Sequence, residues 1–199
     1  MSIDLSQTPL RGCDRTMIPT VKECFEFMEK YEMLENIRAH SVVVEKVANL
    51  IARGLIDTGV DLMIEKITAG ALLHDIGKSL CLHTGGDHAV KGEEICVQNR
   101  LEEIADIVKE HITLQSYQPR AAICEKAIIY YADKRVNHDS VVSLEERLTY
   151  LLKRYGRNDN FLCGRIKENF DLCKDVESKL FKGLSFRPEA LCEMVNPSP

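Results

Sequence analysis

Residues 70–78 read Gly-Ala-Leu-Leu-His-Asp-Ile-Gly-Lys, and any fold for this chain has to accommodate them. A small apolar run carries an imidazole and a carboxylate into whatever core it helps to build. A buried, unpaired aspartate costs several kcal/mol or shifts its pKa upward, so it needs a partner. A divalent metal is one such partner, and imidazole with carboxylate suits zinc, iron, manganese, cobalt or nickel. The bland alternative is a helix C-terminus, with Gly77 as the stop and His74 and Lys78 facing the dipole. The rest of the chain decides between the two.

The patterning is helical throughout. Residues 1–19 read as an irregular lead-in. Thr20 caps a first helix over about 20–32, and Asn36 caps a long second one over about 37–56. On the second, His40, Val44, Val47 and Ile51 fall on one face. A third helix starts near Gly59 and Asp61, with Ile64, Ile67, Ala71 and His74 on its inner side. Residues 79–87 form a loop, followed by helices at about 88–99 and 101–110. The latter aligns Ile104, Ile107, Val108 and His111. After a loop at 114–119, Pro119 suits the first turn of a helix that runs to about 136. That helix places Ile123, Ala127, Tyr130 and Asp133 near one face. Residues 137–140 break it, and further helices cover about 143–156, 159–172 and 174–182. Residues 184–199, with three prolines, read as a tail. Val141-Val142 is too short to count as a strand. The fold class is therefore all-α: a bundle over 20–140, with additional C-terminal helices over 141–183 packed on the same domain.

Composition narrows the function. At 45% hydrophobic over 199 residues, the chain can bury one sizeable core. It has no Trp and only 6% aromatics, so that core is mainly aliphatic. A net charge of -5 without a basic block argues against long nucleic acid, which demands clustered Lys and Arg. A small anionic substrate stays open, since a metal and a few local cations can hold it. The eight cysteines form no C-x-x-C, so neither a zinc ribbon nor a redox pair is indicated. The start, Met-Ser-Ile-Asp-Leu, lacks the form of a signal peptide, and no apolar run approaches a membrane span. The expectation is a soluble cytoplasmic protein with reduced thiols, a disulfide-bonded secreted domain being the alternative.

His40, His74-Asp75, His88, His111 and Asp133 stand out together, because most belong to segments whose apolar face runs into them. Over about residues 34–136 the chain resembles the HD superfamily of metal-dependent phosphohydrolases, in its HDIG form. The resemblance rests on His40, then His74-Asp75, then Asp133. Between them lie Leu-Leu-His-Asp-Ile-Gly-Lys at 72–78, His-Ala-x-x-Gly at 88–92 and Ala-Asp-Lys-Arg at 132–135. His88 and His111 are similar to extra ligands in two-metal members. Of these, the bacterial diadenosine tetraphosphate hydrolases are closer in length and spacing. The cyclic-di-nucleotide phosphodiesterases usually carry a Gly-Tyr-Pro that is missing here.

The resemblance implies one metal on His40, His74, Asp75 and Asp133. A second would share Asp75 and be completed by His88 and His111. It implies hydrolysis of a phosphate ester or anhydride by metal-activated hydroxide, with Asp75 and Lys78 as catalytic residues, Lys78 reaching a phosphate oxygen. The cofactors would be one or two divalent ions among Fe, Mn, Zn, Co and Ni. The partner would be a small phosphorylated substrate, in the first place a nucleotide; the oligomeric state, a homodimer included, stays open. A non-catalytic nucleotide-sensing or scaffold module with the same fold is the alternative. Weaker expectations attach to Lys134 and Arg135 as distal-phosphate contacts or solvent-exposed cations. His83 is an outer ligand or substrate contact, Glu110 an orienter of His111, and His138 a surface residue.

Overall fold

The computed structural model describes residues 17–82, 84–115, 117–157 and 159–196; the expectation for His83 lies outside them. The fold is all-α, as expected. Helix α1 (Val21–Lys30) opens with a reciprocal capping box between Thr20 and Glu23, which satisfies two end donors at once. Helix α2 (Glu35–Asp57) starts at Leu34, whose backbone is extended and has no side-chain cap. Asn36 therefore sits inside the helix, not at its cap. The Leu34 amide is instead satisfied across the fold by Ser79 Oγ, at 3.0 Å. Helix α3 (Ile64–Leu73) begins later than Gly59 and Asp61. The Val60 amide turns back to the Leu55 carbonyl, and Gly59 takes φ +91 to allow it, a left-handed closing turn that glycine tolerates.

A single turn, α4 (Lys78–Cys81), replaces the start of the expected loop. Helix α5 (His88–Gln98) is capped by Asp87 and followed by α6 (Glu102–Glu110). Helix α7 (Glu125–Lys134) starts six residues after Pro119. The intervening turn is held from outside, because Lys179 Nζ donates to the carbonyls of Gln118 and Ala121. A two-residue antiparallel ladder, β1 (Val136–Asn137) with β2 (Ser140–Val141), forms where no strand was expected. Its turn places His138 at φ 54.

Helix α8 (Leu144–Tyr155) carries a Ser143–Glu146 capping box. Helix α9 (Asn160–Phe181) is one continuous helix, not two. Phe170, Cys173, Val176 and Leu180 continue a single buried stripe through the expected break, and no Gly or Pro lies between Phe170 and Leu180. The expected tail is also ordered in part: a 3-10 turn (Pro188–Ala190) leads into α10 (Leu191–Val195), whose Leu191 is fully buried.

Two apolar clusters fill the interior. One joins α2, α7, α9 and α10 through residues such as Val44, Ile51, Ile128, Phe170 and Leu191. The other joins α1, α3, α5 and α6 through Met28, Leu73, Ile95, Ile104 and Val108. Helix α3 feeds both, with Ile67 and Ala71 in the first and Ala69 and Leu72 in the second. Its Gly70 permits this double contact: a Cβ there would meet Ile129 Cδ1 at 2.8 Å and Ile107 Cγ2 at 3.0 Å. The C-terminal end of α3 thus lies between two packed bodies, the most enclosed position in the fold. Among the described residues no helix is long and apolar enough to cross a membrane.

Candidate metal centre

His74 and Asp75 follow α3 directly and are 0% and 1% exposed. Around them α2 brings His40, α7 brings Asp133, the start of α5 brings His88 and the end of α6 brings His111. Ligand atoms of His40, His74 and Asp75 lie within 4.8 Å of one another, as do those of Asp75, His88 and His111. Asp133 joins the first group, its Oδ1 being 3.0 Å from His40 Nε2 and 3.7 Å from His74 Nε2. Asp75 stands between the groups. Its Oδ2 is 3.6 Å from His74 Nε2, while its Oδ1 is 3.3 Å from His88 Nε2 and 3.4 Å from His111 Nε2.

The imidazole tautomers follow from their partners. His74 Nδ1 faces the Ala71 carbonyl at 2.7 Å, His111 Nδ1 the Val108 carbonyl at 2.6 Å, and His40 Nδ1 the His138 carbonyl at 2.9 Å. A carbonyl only accepts, so in each ring Nδ1 carries the proton and neutral Nε2 keeps a lone pair. Those lone pairs point at carboxylate oxygens, which also only accept. A second ring proton would relieve the repulsion, but burial opposes it at His74 and brings its pKa down to about 3. His74 Nε2 and Asp75 Oδ1 are both buried without a hydrogen-bond partner among the described residues. A cation between acceptors resolves the conflict, and this donor set fits a divalent metal.

The two carboxylates stay ionised. Burial works against the charge on Asp75, and with His74 neutral it is the Lys78 ammonium that offsets it, holding the pKa well below the usual range. Burial opposes Asp133 too, and the Lys134 ammonium 3.2 Å from it outweighs that, holding its pKa well below the usual range. Lys78 Nζ rests 2.6 Å from Asp75 Oδ2.

Glycines set the spacing between the two groups. A Cβ on Gly77 would lie 2.5 Å from the His88 carbonyl and 2.7 Å from the Gly92 amide, and one on Gly92 would lie 2.5 Å from Val108 Cγ1. The backbones of the His-Asp turn and of α5 can touch only because Gly77 lacks a side chain, while Gly92 lets α5 close on α6. That contact carries His88 over Asp75.

Three weaker expectations take other forms. Lys134 is not solvent-exposed: it is buried, its Nζ bonded to the His111 carbonyl and 3.2 Å from Asp133 Oδ2. The Tyr130 ring lies 4.2 Å beneath it. Arg135 is also buried, and clips the C-terminal segment by donating to Val142 O at 2.7 Å and Pro188 O at 3.0 Å. Glu110 accepts from the Gln115 amide and from Lys126, not from His111. The His138 side chain is at the surface as expected, yet its carbonyl orients His40. No residue pattern announces a backbone carbonyl, so that role was invisible in the sequence.

Asp75, His88, His111 and Asp133 floor a cavity of about 820 Å³ whose far side is built by α8 and α9. Lys78, Lys134, Arg147 and Arg165 line it together with the carboxylates of Asp75, Asp133 and Glu168. Four cations thus meet three carboxylates there, in a chain of net charge -5.

Comparison with known proteins agrees with this geometry. The family described as HD domain matches residues 37–137, a span holding all six converging residues. A tRNA (cytidine(56)-2'-O)-methyltransferase of Thermoplasma volcanium is 34% identical over 103 residues, covering 51% of this chain and 28% of that protein. A Ribonuclease Y of Thermosipho melanesiensis is 41% identical over 78 residues, covering 39% of this chain and 14% of its own length. An uncharacterized protein of Methanocaldococcus jannaschii, MJ0778, is 27% identical over 137 residues, 62% of this chain and 80% of that one. The chain therefore spans under a third of the first two relatives. No solved structure matches it.

Proposed function

The chain belongs to the HD domain family, and from that premise we propose that it is a metal-dependent phosphohydrolase acting on a phosphate ester or anhydride of a small molecule, in the first place a nucleotide. The supporting observation is the pair at the centre of the fold: two buried acceptors, His74 Nε2 and Asp75 Oδ1, without a hydrogen-bond partner among the described residues. A purely structural core gains nothing from that arrangement, since apolar side chains bury at lower cost. Divalent cations held by His40, His74, Asp75 and Asp133, and by Asp75, His88 and His111, would lower the pKa of a coordinated water and neutralise phosphoryl oxygens.

The chain's own groups serve the rest of the reaction. Asp75 offers one oxygen to each half of the site. Lys78 holds its ammonium on Asp75 and lines the cavity, so it can pass that contact to a phosphate oxygen of the substrate. Lys134 keeps Asp133 ionised and fixed. The ribonuclease relatives are named for RNA, but a net charge of -5 without a basic block favours a small substrate here.

The test is metal content of the purified protein, then turnover of p-nitrophenyl phosphate and of a panel of dinucleoside polyphosphates, nucleoside monophosphates and cyclic nucleotides. Bound metal with hydrolysis of at least one member supports the reading. Bound metal with no turnover across the panel overturns it in favour of a sensing module on the same fold. Lys78→Ala should keep its metal and slow the reaction; normal kinetics would place Lys78 outside the chemistry.

A further inference from the structure

The segment that matches the family ends at residue 137, and the far wall of the cavity lies beyond it. That wall is apolar at its open edge. Tyr155 is 49% exposed, Phe161 71% and Leu162 38%, and across the opening Leu82 and Ile112 are 56% and 37% exposed. All five line the cavity that the ligand residues floor. Exposed aliphatic and aromatic side chains gathered around one concavity mark a binding surface.

The wall is also tied to the floor. Asn169 on α9 donates from Nδ2 to the Ile112 carbonyl at 2.9 Å, immediately after His111. The Tyr130 hydroxyl, one turn before Asp133, donates to the Asn169 carbonyl at 2.7 Å, with Asn169 Oδ1 at 2.8 Å. Asn169 thereby fixes α9 to both halves of the metal centre.

Resting on the phosphohydrolase reading, we infer that α8 and α9 form the specificity wall and receive a flat, apolar ring system carried by the substrate on its phosphate. Tyr155 and Phe161 are the specificity-determining residues. Two aromatic side chains at one cavity edge offer flat faces, on which rings stack. A polyol or bare pyrophosphate would leave that apolar surface wet. A hydrocarbon tail would bury it but would not use the flat faces.

The test uses the metal-loaded protein and two phosphonates that cannot be hydrolysed, phenylphosphonate and methylphosphonate, followed by calorimetry. Phenylphosphonate should bind about tenfold more tightly, within the range for one stacked ring, and with a more negative heat-capacity change. Phe161→Ala should erase most of that difference while leaving methylphosphonate binding and the melting temperature unchanged, because Phe161 is 71% exposed. Tyr155→Ala serves as the second variant. Equal binding of the two probes, or a gain for octylphosphonate equal to that for phenylphosphonate, overturns the inference. So does a Phe161→Ala variant that changes only self-association. Failure of the hydrolase reading shows separately, as absent turnover with ring-dependent binding intact.

Discussion

On one side of Asp75, His40 and His74 are 6% and 0% exposed, and each ring is fixed by a backbone carbonyl. They come from the two helices that run through the core, with Asp133 braced by Lys134. On the other side, His111 is equally buried and equally fixed, but the His88 side chain is 26% exposed. It stands at the first position of α5, and no hydrogen bond fixes its Nδ1 among the described residues. The two halves use similar residues and share a carboxylate, yet one is embedded and the other finished at a rim. Orientation by the surrounding structure governs metal affinity as much as ligand identity does. The inner half should therefore bind its ion more tightly and release it more slowly.

Asp75→Ala should abolish the contrast, because its two oxygens serve both sides. Elemental analysis should find neither ion at normal occupancy and activity should fall to background; one ion retained at full occupancy would show that Asp75 is not shared. Gly77→Ala should separate the halves. A Cβ at 2.5 Å from the His88 carbonyl forces α5 outward, at a cost of about 1–3 kcal/mol for such overpacking. The expected outcome is one ion retained per chain, read by elemental analysis, with a lowered melting temperature. His88→Ala should give the same stoichiometry with the melting temperature kept; loss of the inner ion first would invert the comparison.

Lys134→Met probes the link between halves, since Lys134 touches the His111 carbonyl and the Asp133 carboxylate together. Both affinities should fall by about 10–100-fold, the range for outer partners of metal ligands, as measured by competition with a chelator. An effect confined to one ion would limit the brace to that side. A further effect is on acid stability after chelation. Burial gives His74 a native pKa near 3, against 6.5 when unfolded. Between those values only the unfolded chain takes the proton, so stability is fully present above about 6.5 and declines as pH falls toward 3. Denaturant midpoints across that window should drop more for the native chain than for His74→Gln.

The convergence of these residues was legible because most of them interrupt an apolar stripe: His40 on α2, His74 on α3, His111 after α6. Helical periodicity needs only local sequence, and Thr20 and Ser143 mark their helix starts for the same reason. The misread boundaries depend on partners distant in sequence. Leu34 starts α2 with help from Ser79, and Lys179 delays α7 from 61 residues beyond Gln118. Leu191 is buried by a core assembled much earlier in the chain. Arg135 and Lys134 read as distal-phosphate contacts or solvent-exposed cations because the sequence shows their charge and not the carbonyls that absorb it.

The carbonyls that hold His40, His74 and His111 have a genetic consequence. A side-chain orienter can be lost by changing one codon, but a main-chain oxygen is present whichever residue is encoded. In a saturation library the three rings should tolerate no change, while the residues supplying their orienters answer only to size and backbone shape. His138 is the clearest instance. Its side chain is exposed and its φ is 54, so Asn and Gly should be accepted there and Val or Ile refused. Tolerance would then follow the turn's conformational preference, a profile opposite to that of the histidine it supports.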